Sequence, residues 1–188
     1  MFSVLLVMHA TVVGQSTSPE IRSYKAPGDL EPNYALACIT LENAKAEYNP
    51  VALLKSSEDC IKRQRYADAV ALIAFASAYA RYDTRRVADR TAYDALSIAR
   101  MAMFSEIPEA DRPKLDAAFA RLTSDGAEKS QFCADVKRIG PPTYFPRYMI
   151  QHGMGAFLGQ SRDGLIENFE SSKAWADVLS TYLHCPSS

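Results

Sequence analysis

The residue types best suited to molecular recognition are concentrated between positions 138 and 159. This stretch holds four of the eight glycines and three of the ten prolines of the chain. Tyrosine, arginine and histidine offer a large, rigid surface with a polar end, and they therefore dominate binding hot spots. The sequence predicts a partner-binding segment here, with five contact residues: Tyr144, Arg147, Tyr148, Gln151 and His152.

Two other interpretations of the 138–159 segment are open. It is a structural strap if its aromatic side chains plug one end of a helical domain, with Gly153 and Gly155 allowing close backbone packing. It is a catalytic site if three of its side chains act together on a substrate: Tyr144, Arg147 and His152.

The rest of the sequence disfavours catalysis. The HExxH, GxSxG, Walker and GxGxxG motifs are absent from it. A metal site usually needs two or three His, Cys or acidic ligands at matched spacing, and His152 and His184 are the only histidines after His9. Glu167 and Glu170 are a carboxylate pair of the kind that glycosidases use, but such pairs are common on solvated loops. We therefore predict a protein that is not an enzyme and that uses no metal or other cofactor.

The overall composition indicates one globular domain without affinity for nucleic acid. Of the 188 residues, 48% are hydrophobic and 23% are charged, which is ordinary for a chain that builds a single core. The net charge of −1 provides no basic surface for a nucleic acid or for an anionic membrane.

The first residues predict export. The run 2–13 is uncharged and mostly apolar, yet it spans only about 18 Å as a helix, too short for a hydrocarbon core of about 30 Å. A polar, helix-breaking stretch follows from Gly14, as in a signal peptide, although no Lys or Arg precedes the run. We predict a signal peptide over 1–14, a polar leader over 15–32 and a helical domain over 33–188. After removal of the signal, we expect a periplasmic or secreted protein without stable membrane insertion.

The four cysteines agree with export, because an even number in an exported chain predicts two disulfides. Three pairings are open by count alone, and the alternative is four buried free thiols. If the helices carrying Cys38 and Cys60 form an antiparallel hairpin through the loop 47–50, the mirror position of Cys38 falls one step from Cys60. This geometry favours the pair Cys38–Cys60 and leaves Cys133–Cys185, which would tie the C-terminal helix to the body.

Helical periodicity dominates the remaining sequence. Apolar residues at three- and four-residue steps, together with capping signals, predict helices over seven stretches: 34–48, 50 to the turn at 63–65, 66–80, 83–104, 108–122, 127–138 and 171–184. The stretch 66–80 is apolar on almost every side and carries a single charge, Asp68, so we expect it in the middle of the bundle. No stretch alternates convincingly with the period of a strand. The predicted fold is all-α, a single-domain bundle of about seven to eight helices.

Part of this pattern resembles the tetratricopeptide helix-turn-helix. The resemblance covers about 34 residues and rests on seven positions: Leu53, Ser57, Cys60, Tyr66, Ala69, Ile73 and Ala76. Leu53 stands where the repeat has a large aromatic residue, Arg81 stands where it has its closing proline, and no second copy follows. The resemblance implies a helical hairpin with repeat-like packing. It does not imply a peptide-binding groove, which requires several stacked copies.

The general layout of the chain resembles that of small periplasmic proteins of Gram-negative bacteria, and of immunity proteins against type VI secretion effectors. The shared layout is an export signal, a short helical body and no catalytic motif. The resemblance implies a protein partner, namely a toxin acting in the periplasm, such as a peptidoglycan hydrolase, protease or lipase, which the chain would neutralise. Two alternatives are a periplasmic enzyme that uses residues 144–152, and an envelope scaffold that uses the tetratricopeptide-like hairpin.

Overall fold

Eight α-helices make up most of residues 26–159 and 163–186, which are the residues that this computed structural model describes. The predicted signal peptide lies outside them. The helices are α1 (Pro50–Lys62), α2 (Tyr66–Arg86), α3 (Ala95–Ser105), α4 (Arg112–Thr123), α5 (Ala127–Ile139), α6 (Arg147–Ile150), α7 (Met154–Phe157) and α8 (Ser171–Asp177). Shorter turns are 3-10 helical (Leu41–Asn43, Arg90–Ala92, Glu109–Asp111) or π-helical (Val178–Tyr182). The predicted all-α, single-domain fold is therefore confirmed.

Helix α2 lies at the centre of the bundle, as its apolar sequence predicts. It packs against α1, α4 and α8, and its largest buried side chains lie in the hydrophobic core: Leu72, Ile73, Phe75, Tyr79 and Tyr82. Helix α1 begins at Pro50, and the side chain of its N-cap Asn49 accepts a hydrogen bond from the amide of Ala52. The turn 63–65 joins α1 to α2. The predicted hairpin is thus present, and its likeness to the tetratricopeptide repeat stays a resemblance.

The prediction of a helix over 34–48 is wrong. Only Leu41–Asn43 is helical there, as a single 3-10 turn. The chain before it runs alongside α1 and is hydrogen-bonded by side chains of that helix: Ser56 Oγ donates to Ala37 O at 2.6 Å, and Asp59 Oδ2 accepts from the Cys38 amide at 2.7 Å. These bonds satisfy backbone groups that would otherwise have been paired within a helix.

The predicted helix over 83–104 is divided into two. Helix α2 continues past Asp83, and α3 begins only after the 3-10 turn Arg90–Ala92. Between them the chain is extended at Val87, which forms an isolated antiparallel bridge with Leu165. The sequence predicts that a new helix begins at Asp83, but Asp83 lies inside α2, where other side chains bond its carboxylate.

Both predicted disulfides are present: Cys38 pairs with Cys60, and Cys133 pairs with Cys185. The pairing of Cys38 with Cys60 is correct, but the helical hairpin through the loop 47–50, from which it was predicted, is not present. Cys38 lies on the irregular segment beside α1 and not on a helix. The two bonds close loops of 22 and 52 residues, and disulfides of this kind are typical of exported proteins. Within residues 26–159 and 163–186, no helix is both long and apolar enough to cross a lipid bilayer.

Candidate functional site

The carboxylate of Asp83 organises the segment in which the sequence predicts a binding site. The Asp83 side chain is fully buried, and three side chains donate hydrogen bonds to it. Arg86 Nε donates to Oδ1 at 2.7 Å, and the hydroxyls of Tyr144 and Tyr148 both donate to Oδ2 at 2.8 Å. A buried carboxylate is costly unless it is paired and hydrogen-bonded. The cluster therefore fixes the residues around α6 to the end of α2.

The electrostatics of the cluster keep both tyrosines as hydrogen-bond donors. Burial raises the pKa of the Tyr144 and Tyr148 hydroxyls well above their usual range, and the neighbouring Asp83 carboxylate raises them further. Burial also raises the pKa of Asp83, a rise that the positive charge of Arg86 and the two hydroxyl donors oppose. The Arg86 guanidinium lies 5.2 Å from the centroid of the Tyr144 ring and donates to the Tyr144 carbonyl oxygen at 3.0 Å. The polar groups of this cluster are therefore bonded to one another and not directed at a ligand.

The structure divides the five predicted contact residues into two groups. Tyr144 and Tyr148 are only 8% and 1% exposed, so they cannot form the exposed hot spot that the sequence predicts. The physical reason is the buried carboxylate, which draws both hydroxyls into the core. Arg147 is exposed, while Gln151 and His152 are half-buried, and their part in partner binding stays a prediction.

The described end of the predicted leader packs on this same segment. The amide of Leu30 donates to the Tyr148 carbonyl oxygen at 3.2 Å. His152 Nδ1 lies 2.9 Å from Asp29 Oδ1, which leaves less of the His152 ring free for a partner. These contacts support the strap interpretation of residues 144–152: the segment is tied to the core on one side and to the leader on the other.

The strap leads directly into a rigidly held turn at α7. The amide of Gly155 donates to Asp89 Oδ2 at 2.7 Å, and the amide of Met154 donates to Thr91 Oγ1 at 2.8 Å. Thr91 is itself bonded to the other Asp89 oxygen through its hydroxyl at 2.6 Å. A Cβ atom on Gly153 would collide with the Asp89 carboxylate. The expected role of the glycines, close backbone packing, is therefore confirmed for Gly153.

The turn at α7 presents apolar side chains to solvent. At this turn Met154 and Leu158 are 51% and 55% exposed, and Ile166 in the segment 163–167 is 43% exposed. Together the three side chains form what we call the apolar patch. All three line an open groove of about 840 Å³ between the start of α7 and the extended residues 163–167. Three carboxylates also line the groove: Asp89, Asp163 and Glu167.

Sequence reasoning missed the apolar patch, although the run from Met154 to Leu158 carried a signal. That run is apolar and follows a glycine, with no charged residue to mark it as surface. Only the three-dimensional structure reveals that these side chains face away from the core. Clusters of exposed apolar side chains are typical of interaction sites in monomeric proteins.

The metal-ligating residue types are sparse in the described lining of the groove. In the part of the chain that the structure describes, no three His, Cys, Asp or Glu side chains are grouped so that they could hold a metal ion. That the protein needs no metal or other cofactor stays a prediction. No protein-family model, curated protein or solved structure matches this chain.

Proposed function

We propose that this chain is an exported helical binding protein whose protein partner docks on the apolar patch. The observation that carries the proposal is the exposure of Met154 and Leu158, at a turn held by the partly buried Asp89 carboxylate, beside the exposed Ile166. Exposed apolar side chains lose unfavourable contact with water when a partner covers them. The two disulfides support export, since such bonds persist in oxidising compartments.

The hydrogen bonds beneath the patch favour binding because they reduce the conformational entropy that is lost when a partner associates. Asp83 holds the strap through Tyr144 and Tyr148, and Asp89 holds α7 through Gly155. A surface that is already ordered before association loses less conformational freedom when the complex forms. The strap therefore acts as a scaffold for the patch, and this role replaces the direct contact that the sequence predicts for Tyr144 and Tyr148.

The chemistry of the groove narrows the kind of partner surface that fits. Its described lining residues include the carboxylates of Asp89 and Asp163 and no Lys, Arg or His. We expect the partner to present apolar side chains flanked by basic ones, because complementary charge accelerates encounter and fixes register. An immunity-type inhibitor that blocks a toxin in the periplasm is the form of this proposal that the layout of the sequence favours.

The experiment is affinity capture from periplasmic extract of the source cells. The wild-type chain is compared with a patch variant, Met154→Ser/Leu158→Ser. The matched control is Ile98→Ser/Met101→Ser, since Ile98 and Met101 are 43% and 68% exposed but lie on α3, outside the groove. We expect one protein to be captured by the wild type and the control, and its affinity for the patch variant to fall at least tenfold.

Two results would contradict the proposal. Equal capture by the patch variant would place the partner elsewhere on the surface. A captured protein that is cut or modified by the chain, with loss of that activity on mutation of Arg147 or His152, would favour the periplasmic enzyme instead. Both variants should retain the melting temperature of the wild type, because exposed substitutions cost about 0.5 kcal/mol or less.

A further inference from the structure

A second cavity lies on another part of the molecule, between α2, α3, α4, α5 and the residues that follow α8. Its volume is about 510 Å³, and none of its lining residues belongs to the groove beside the apolar patch. Six of them are apolar: Ile73, Ala74, Phe119, Leu122, Phe132 and Leu183. We infer that this cavity binds a small organic acid, a carboxylate attached to a compact hydrocarbon body.

The positive charge of the cavity comes from Arg100 on α3 and Lys129 on α5, which both line it. Neither side chain forms an ion pair within residues 26–159 and 163–186. His184 also lines the cavity, and Asp125 is the one carboxylate among its described lining residues. The described lining therefore contains one Arg and one Lys side chain against one carboxylate.

Arg100 is the residue that most clearly lacks a partner. Its Nε is buried and has no hydrogen-bond partner among the described residues, whereas a guanidinium normally uses its donors on carboxylates, carbonyls or water. The only other interaction of its charged group on these residues is a distant one, 6.0 Å from the centroid of the Phe104 ring. An anion in the cavity would give this guanidinium an ion-pair partner, which none of the described residues provides.

Lys129 is positioned to assist and retains donor capacity. Its Nζ donates to the Leu183 carbonyl oxygen at 2.5 Å, and a lysine ammonium carries three donors. The ammonium also lies 5.8 Å from the centroid of the Phe132 ring. The wall that contains Leu183 is fixed to α5 by the bond between Cys133 and Cys185, so the cavity keeps its shape without a ligand.

The combination of walls and charges selects the ligand class. A carboxylate matches the planar guanidinium and accepts two parallel hydrogen bonds from it. The apolar walls favour a hydrocarbon body over a bare inorganic anion, in keeping with small-molecule sites that pair an apolar lining with a few polar groups. Sodium octanoate is a suitable probe because it has both parts, and 1-octanol is its uncharged counterpart of equal chain length.

The experiment titrates the full exported chain with octanoate by isothermal calorimetry. We expect one molecule to bind per chain, with 1-octanol binding at least tenfold more weakly and inorganic phosphate not binding. Arg100→Met should lower the octanoate affinity at least tenfold. The matched control Lys173→Met removes an exposed lysine of α8 that does not line the cavity, and it should leave the affinity unchanged.

Thermal unfolding separates a binding role of Arg100 from a structural one. Without ligand, Arg100→Met should melt at or above the wild-type temperature, because it removes a buried donor that has no partner. Octanoate should raise the melting temperature of the wild type and not of this variant. Absence of octanoate binding, equal binding of octanol, or an unchanged affinity in Arg100→Met would each overturn the inference. The patch variant Met154→Ser/Leu158→Ser should bind octanoate normally, which separates this site from the proposed partner surface.

Discussion

Removal of one hydroxyl, in Tyr148→Phe, tests the role of the buried cluster. The substitution keeps the ring, which is 1% exposed, and deletes the donor that lies 2.8 Å from Asp83 Oδ2. A hydrogen bond to a charged group contributes about 1.5–3 kcal/mol, and the Asp83 carboxylate is fully buried, out of reach of bulk water. For a domain of this size, such a loss lowers the melting temperature by about 3–12 °C.

The assay is urea unfolding with the disulfides intact, in which a shift of the midpoint urea concentration at an unchanged m-value reports the change in stability. The control is Tyr34→Phe, because Tyr34 is 42% exposed and its ring contacts that of Tyr48. We expect the control to change the unfolding free energy by about 0.5 kcal/mol or less. If Tyr148→Phe is no more destabilising than the control but weakens partner binding, the original hot-spot hypothesis for Tyr148 is right and the scaffold account is refuted.

Three further predictions concern other parts of the fold. Replacing the Cys38–Cys60 pair by serines should lower the free energy of unfolding by about 3 kcal/mol, and replacing Cys133–Cys185 should lower it by about 4 kcal/mol, because the loops span 22 and 52 residues. Denaturant unfolding measures both losses, and equal or negligible losses would contradict the chain-entropy argument. Gly153→Ala should cost about 1–3 kcal/mol because its Cβ meets the Asp89 carboxylate, whereas Gly126→Ala should not, because its Cβ meets only Ser124 Oγ, at an ordinary contact distance of 3.9 Å. Burial raises the pKa of Asp89, but the hydrogen bonds from the Thr91 hydroxyl and from the Gly155 and Thr91 amides outweigh this effect, so the pKa is lowered overall. Since the folded pKa lies below the unfolded one, the hold on α7 is complete above about pH 4 and is lost as the pH falls through the folded pKa. Amide-exchange protection of Gly155 should therefore fall in acid for the wild type and be weak at every pH in Asp89→Asn.

Features that depend on local sequence could be predicted. The stretch 66–80 is apolar on nearly all sides, which is possible only for a helix at the centre of a bundle, and α2 lies there. The helices over 108–122 and 127–138 are close to α4 and α5 because proline, charge and periodicity mark their ends. The two cysteine pairs could be predicted because four cysteines allow only three pairings, and the hairpin geometry favoured the pair that brings Cys38 beside α1.

Features that depend on distant partners could not be predicted. The segment around Cys38 has helical spacing, but Ser56 and Asp59 compete for its backbone groups. Asp83 looks like a helix cap because its true partners, Tyr144 and Tyr148, lie 61 and 65 residues away along the chain. Because both tyrosines are buried, they are not available to a partner. A prediction from residue type therefore selected the residues that support the apolar patch and not the patch itself.

The central claim, that a protein partner covers the apolar patch, is tested most directly by photo-crosslinking in living cells. A photoreactive phenylalanine analogue is placed at Leu158 in one variant and at Met101 in another, because both side chains are more than half exposed but only Leu158 lines the groove. The account predicts one discrete adduct with a second protein from position 158 and none from position 101. Adducts of equal yield from both positions, or an adduct from position 101 alone, would contradict it.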